Sequence, residues 1–287
     1  MESISLKCPA KVNLSLDVVG KREDGYHLLR MINQSVSLYD YIKVEKFKKG
    51  IVVTSNKYDI PLDSSNTCYK AAKCILEKFQ IDSGVKIHIE KNIPYGAGLG
   101  GGSSDAAGVI KAMKELFNLN MSLEDMMNIG VLVGADVPYC IVNRTSLVEG
   151  IGEVVTPIEK IEDLYIVIAK PKVNISTKEV YSKLKLDEIN KRPDIDKLLN
   201  YIKAKNYKML ASNMVNVLET VTLVEYPILN EIKNIMLEFN AEGSIMTGSG
   251  SAIIGVFQDK KQAEICYNRL RDYLKDVFLV KTVNEGV

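Results

Sequence analysis

Polar and apolar residues alternate strictly at the start of the chain. Ile4, Leu6, Cys8, Ala10, Val12, Leu14, Leu16 and Val18 are apolar, and the odd positions between them are polar, charged or proline. This period of two predicts a half-buried strand, or two strands bent at Pro9. Asp24-Gly25 then marks a turn. Strand-like pieces follow over 32–38, 41–46 and 51–54, and a helix is predicted over 66–79. Val85, Ile87 and Ile89 alternate again and predict a strand that ends near Pro94.

Past residue 104 the period lengthens. Ala106, Ile110, Met113 and Phe117 recur at helical spacing, with Ser103 or Ser104 as the expected N-cap. Ser122-Leu-Glu-Asp125 resembles a capping box and predicts a second helix that stops near Gly134. The stretch 150–163 is a polar, glycine-containing connection, where a domain boundary is expected. Beyond it, strands are predicted over 164–169, 253–257 and 277–283. Helices are predicted over 194–203, 206–221, 228–239 and 260–274, and Ser176-Thr-Lys-Glu179 is a second capping box. The second half therefore reads as α+β with a small antiparallel sheet.

At 287 residues the chain is long for a single core, so two domains are expected. A formal net charge of +1 disfavours nucleic acid as the main partner, because neutralising a phosphate backbone calls for a basic excess. No apolar run approaches the ~20 residues of a membrane span, and residues 1–20 carry no signal-peptide pattern. The five cysteines, Cys8, Cys68, Cys74, Cys140 and Cys266, form no C-x-x-C pair. A cytoplasmic protein with buried free thiols and no structural zinc is expected.

The chemistry concentrates in one run: Pro94-Tyr95-Gly96-Ala97-Gly98-Leu99-Gly100-Gly101-Gly102-Ser103-Ser104. It lies between a predicted strand and a predicted helix. Such a loop can lay several backbone N–H groups against one anion, and the helix dipole adds to the same point. A phosphate is the natural guest. Gly96-x-Gly98-x-x-Gly101 matches the dinucleotide fingerprint, but that fold needs a parallel strand after the helix, and here a second helix follows. A Walker A loop needs Gly-Lys-Ser/Thr, and no lysine is present. A plain flexible hinge would not need five glycines beside a helix start, each costing ~0.5–1 kcal/mol relative to alanine in regular structure.

Pro94-x-x-x-Gly98-Leu-Gly-Gly-Gly-Ser-Ser resembles the central motif of the GHMP kinases (galactose, homoserine, mevalonate and phosphomevalonate kinases). Pro9-Ala10-Lys11-Val12-Asn13-Leu14 resembles their first motif, and Met246-Thr-Gly248-Ser-Gly250-Ser their third. Within that superfamily, Arg22-Glu-Asp-Gly25-Tyr26-His27 and Gly134-Ala-Asp136-Val-Pro138 resemble the 4-diphosphocytidyl-2-C-methylerythritol kinase family of the non-mevalonate isoprenoid pathway. The resemblance spans nearly the whole chain and is thinnest over 182–225. It implies a two-domain α+β architecture: an N-terminal α/β domain with the nucleotide loop over 1–157, and a C-terminal ferredoxin-like domain over 158–287. It also implies phosphoryl transfer from ATP, with Mg²⁺, to the 2-hydroxyl of a cytidine-diphosphate-linked polyol.

The resemblance assigns catalysis to Asp136 and Lys11. Asp136 lies in a turn set by Gly134 and Pro138, suited to accept the hydroxyl proton. An aspartate titrates near ~3.9 and an alcohol, like water, near ~15.7, so full ionisation before attack is uphill by roughly 16 kcal/mol. The carboxylate is therefore expected to orient the hydroxyl and take its proton late. Lys11 would otherwise be an exposed strand lysine. Asn13, on the same face, is expected to hydrogen-bond the substrate. The resemblance places the cytosine between Tyr26, by stacking, and Tyr181, with a hydrogen bond from His27. Thr177 and Asn174 lie close by in the sequence, in reach of the substrate, and Thr177 is expected to bind it.

Asn66 matches a position near the adenine and also suits an N-cap. Gly248, Ser249 and Gly250 either steer the acceptor's diphosphate or support the cleft. His88 is expected at the surface. Asp105 either faces away from the phosphates or helps hold Mg²⁺ through water. The remaining readings are a GHMP kinase for another small alcohol and a nucleotide sensor without turnover. The presence of both Lys11 and Asp136 disfavours the sensor.

Overall fold

The computed structural model describes residues 2–58 and 60–285. The initial alternation is one strand, β1 (Ser3–Lys21), paired antiparallel with β2 (His27–Phe47). The turn at Asp24-Gly25 joins them, with Gly25 at φ +90°. The two pieces expected at 32–38 and 41–46 are one strand, because pairing with β1 carries across the residues between them. β3 (Ile51–Ser55) lies parallel to β4 (Gly84–Glu90), and α1 (Thr67–Lys78) crosses between them. β4 also pairs with β2. Then come α2 (Gly101–Leu116), α3 (Leu123–Val133) and α4 (Val137–Val142). α3 begins at a full Ser122/Asp125 capping box and ends at Gly134. β5 (Ser146–Gly150) returns to β2, and β6 (Val154–Pro157) pairs with β5. A hairpin thus occupies part of the stretch expected to be a plain connection.

β1 is not half-buried. Residues 8–18 are buried on both faces. Register shifts at Pro9/Ala10 and Asn13/Ser15 divide its apolar positions between two cores. Cys8, Leu16 and Val18 join one core, whereas Ala10, Val12 and Leu14 join the other. Bulges re-aim side chains in this way, and here they bury the polar positions Lys11, Asn13 and Ser15 as well.

The second half runs β7 (Tyr165–Lys170), α5 (Thr177–Lys183), α6 (Ile195–Lys203), α7 (Tyr207–Ser212), α8 (Glu219–Glu225), α9 (Pro227–Glu238), β8 (Gly243–Met246), β9 (Ile253–Phe257), α10 (Lys260–Arg271) and β10 (Asp276–Val283). Its strands order as β10-β7-β9-β8, all antiparallel. With helices between β7 and β8 and between β9 and β10, this is the βαββαβ ferredoxin-like arrangement. β10 also pairs with β2, at Thr282↔Val36 and Val283↔Ser35, so the two sheets are continuous.

The helix expected over 206–221 is two helices, α7 and α8. Between them the chain pairs with β1: the Leu16 N–H donates to Val215 O (2.9 Å), and the Val217 N–H donates to Leu16 O (3.0 Å). Asn216 Nδ2 donates to Met246 O and Gly248 O, both at 2.8 Å. Local amphipathic spacing cannot reveal this distant partner.

Candidate active site

The glycine loop leaves β4 and opens α2. Its Ala97 and Leu99 side chains are buried in the second core. The glycines between and beside them, Gly96, Gly98 and Gly100, have φ of +64°, +74° and +66°, a region that favours glycine. The loop alternates an anchored side chain with a left-handed glycine. A Cβ at Gly98 would collide with the Thr247 carbonyl, and one at Gly100 would lie 2.8 Å from Lys11 Cγ. The loop is stitched down by Lys11 N–H to Leu99 O (2.9 Å), Ala252 N–H to Ala97 O (3.2 Å) and Thr247 Oγ1 to Gly98 O (3.2 Å).

α2 is capped by neither Ser103 nor Ser104, which corrects the expectation. Gly100 is its N-cap and supplies no side-chain bond. Ser104 is buried in the first turn and donates to Pro9 O (2.7 Å). With no capping side chain, the first-turn N–H groups of α2 are left for another acceptor.

Lys11 meets Asp136 beside this loop. Lys11 is 5% exposed, and its Nζ lies 3.7 Å from Asp136 Oδ2. The ammonium also donates to Asn13 Oδ1 at 2.9 Å. Asp136 sits in the turn between α3 and α4, where Val137 N–H bonds Gly134 O (3.0 Å) and Pro138 starts the helix. Its carboxylate is about one-third exposed (35%), so it faces open space while Lys11 approaches from the protein side.

That open space is a cleft of about 590 Å³. Tyr26, His27, Ser103, Asp136, Thr177 and Tyr181 all line it. The His27 and Tyr181 rings pack at 4.9 Å between centroids, tilted by 33°. Tyr26 is exposed at 59%. Burial and the nearby Lys21 charge lower the His27 pKa, which favours the neutral imidazole. Burial, and then the Asp136 charge, push the Tyr181 hydroxyl well above its ordinary value. The cleft is therefore lined by both aromatic rings and a carboxylate.

Several expected ligand contacts turn out to be internal. Asn13 is fully buried: its Oδ1 accepts from Lys11 Nζ and Gly248 N–H (2.8 Å), and its Nδ2 donates to Asn33 Oδ1 (2.6 Å). Its side chain thus holds Lys11 and the Gly248 loop. Asn66 is an N-cap, accepting from Cys68 N–H (2.8 Å) and donating to Pro61 O (2.6 Å). The Gly248 N–H is taken by Asn13, the Gly250 N–H by Thr247 O (3.1 Å), and Ser249 Oγ lies 2.8 Å from Thr177 Oγ1. This second loop supports the cleft by holding Asn13 and Thr177. Asn174 is exposed, and so is His88, whose Nδ1 lies 2.9 Å from Thr54 Oγ1.

Residues 66–144 match the family model for the GHMP kinases N terminal domain, and residues 195–276 match that for the GHMP kinases C terminal. A protein of Acetivibrio thermocellus named 4-diphosphocytidyl-2-C-methyl-D-erythritol kinase is 52% identical over 283 residues, covering 99% of this chain and 100% of its own. A Clostridium botulinum protein of the same name is 48% identical, covering 96% of this chain and 99% of its own. The chain belongs to the GHMP kinase family. A crystal structure of 4-(cytidine 5'-diphospho)-2C-methyl-D-erythritol kinase superposes with a TM-score of 0.83 at 30% identity, covering 99% of this chain and all of that one. A homoserine kinase from Cytophaga hutchinsonii shares the fold, with a TM-score of 0.80 at 20% identity over 100% of this chain and 96% of that one.

This GHMP kinase also has a buried charge cluster that the sequence reading did not assemble. Lys91 Nζ donates to Asp105 Oδ2 (2.6 Å) and to Asp40 Oδ2. Lys91, Asp40 and Asp105 are 5%, 0% and 2% exposed. One oxygen of the Asp105 carboxylate is thus paired with Lys91. One signal for Asp40 was present: it shares the parity of Val36, Ile42 and Val44, an acid on an apolar face.

Proposed function

We propose that this GHMP kinase transfers the γ-phosphoryl group of ATP to the 2-hydroxyl of 4-diphosphocytidyl-2-C-methyl-D-erythritol, giving the 2-phosphate and ADP in non-mevalonate isoprenoid synthesis. One observation carries the assignment of roles: Asp136, paired with the buried Lys11, lines the same cleft as Ser103 in the uncapped first turn of α2 and as Tyr26, His27 and Tyr181. The loop N–H groups from Gly96 to Ser103 hold the nucleotide phosphates, while the Ser104 N–H is donated to Gly100 O (2.9 Å). Tyr26, His27 and Tyr181 hold the cytosine, with base stacking worth ~1–3 kcal/mol per aromatic.

The hydroxyl oxygen attacks the γ-phosphorus in line, and the bond from that phosphorus to the bridging oxygen breaks as ADP leaves. Asp136 accepts the hydroxyl proton late in the step. The Lys11 ammonium, aimed by Asn13, stabilises the charge on the transferring group. Mg²⁺ enters as part of the nucleotide substrate. Among the described residues no group of three or more His, Cys, Asp or Glu is placed to hold a resident metal ion. The five free cysteines suit a reducing compartment, and we place the enzyme in the cytoplasm.

An ADP-release assay with this acceptor, mevalonate, homoserine and galactose tests the reading. The cytidine-linked acceptor should be turned over at least about a hundredfold more efficiently than the other three, because only it offers a base to the aromatic rings of the cleft. Equal turnover of any of the three would refute the acceptor assignment.

A further inference from the structure

We propose that Asp40, Lys91 and Asp105 are positioning residues for ATP, which hold the two ends of the glycine loop at the spacing its N–H groups need to meet the phosphates. The inference rests on reading that loop as the ATP cradle.

Lys91 stands three residues before Pro94, and Asp105 stands one residue after Ser104. Both ends of the loop therefore close on one ammonium. Asp40 extends the grip from β2: its Oδ1 accepts from Asn92 N–H (2.6 Å) and Ile93 N–H (2.8 Å), the residues that lead into the loop. Gly101, the first residue of α2, lies directly over the ammonium, where a Cβ would come within 2.9 Å of Nζ.

Stability alone is a poor reason for this arrangement. Well-packed apolar replacements of buried ion pairs are often neutral or stabilising. A lysine beneath a helix N-terminus also opposes the dipole. What the cluster provides is a fixed distance between two backbone segments that otherwise meet through glycines.

The cluster also responds to charge above it. Two carboxylates share one ammonium, and Asp105 Oδ1 has no hydrogen-bond partner. Burial, together with the Asp40 charge, raises the Asp105 pKa to about 7 against the pull of Lys91. The other titratable groups facing Asp105 are the buried thiols of Cys8 on β1, Cys68 on α1 and Cys140 on α4, all pushed well above their ordinary range and therefore neutral here. Incoming phosphates disfavour the ionised carboxylate, so ATP binding takes up a proton at Asp105. Affinity for ATP should then fall as pH rises through that value.

The test is steady-state kinetics and calorimetric ATP binding on the full chain, from about pH 6 to about pH 8, for wild type, Asp105→Ala and Asp105→Asn. Asp105→Ala should raise the ATP KM about tenfold, with the acceptor KM and kcat within about threefold. Asp105→Asn keeps an acceptor for Lys91 and should restore the ATP KM to within about threefold of wild type. It should also lose the pH dependence that wild type shows beyond the nucleotide's own titration, which is common to both proteins. An unchanged ATP KM in Asp105→Ala, or equal damage to both KM values, overturns the proposal. If Asp105→Ala does not fold, Asp105→Asn decides: a wild-type pH profile in that variant also overturns it. Failure of wild type to bind ATP would instead defeat the reading of the loop.

Discussion

Asp136 and Lys11 approach to 3.7 Å from opposite sides, one partly open to the cleft and the other buried. The difference in exposure divides the labour between them. The carboxylate can reach an incoming hydroxyl, while the ammonium, held by Asn13 at 2.9 Å, cannot swing away. Asp136→Asn keeps the shape and removes the proton acceptor. It should lower kcat by about 10²- to 10⁴-fold with ATP affinity nearly unchanged. Retention of near wild-type kcat would show that another group takes the proton. The pairing of Lys11 with Asp136 was legible in the sequence because both lie in short motifs. Asn13's internal hydrogen bonds were not, because its partners Gly248 and Asn33 are 235 and 20 residues away.

Among the elements, helix starts differ in whether a side chain caps them. α1, α3, α5, α6, α7 and α10 each begin with a side chain that accepts a backbone N–H: Asn66, Ser122, Ser176, Asp194, Asn206 and Asp259. α2, α4, α8 and α9 have no such cap, and of these α2 is the one that opens from the glycine loop. Its first N–H groups are the ones we assign to the phosphate oxygens. Ser122→Ala removes a capping box at α3, away from the cleft. It should cost about 1 kcal/mol and lower Tm by about 2–4 °C, with both KM values unchanged. A thermal melt alongside kinetics checks this, and an altered KM would tie α3 to binding. The caps at Asn66, Ser122 and Ser176 could be read from residue type and spacing. The split of α7 from α8 could not, because it depends on the pairing of Val215 and Val217 with Leu16.

At the scale of the whole molecule, the two halves of the chain build one cleft by docking two glycine-containing loops. Thr247 lies against Gly98 and Asn13 against Gly248, so the β8–β9 loop braces the glycine loop and, through Asn13, Lys11 together. Gly98→Ala would push a methyl group into the Thr247 carbonyl at a backbone φ of +74°. A left-handed alanine alone costs about 1–2 kcal/mol. The variant should melt lower and lose kcat/KM for both substrates, because the displaced loop carries Lys11 with it. A variant with wild-type melting and kinetics would show that the two loops do not need this contact.

By itself the sequence determined what local chemistry can specify. The initial alternation, the glycine run, the helix caps and the motifs around Lys11, Tyr26-His27 and Asp136 are each complete within a few residues. They were enough for the α+β class and the kinase family. Tertiary structure decided what depends on meetings across the chain. It buried the polar face of β1, since bulges turned the strand between two cores. It committed Asn13 and Asn66 to internal bonds, and it joined Asp40, Lys91 and Asp105 under the loop. The physical reason is the same in each case. A hydrogen bond or an ion pair is set by distance in space, and residues 14 to 235 positions apart leave no periodic trace of it in the sequence.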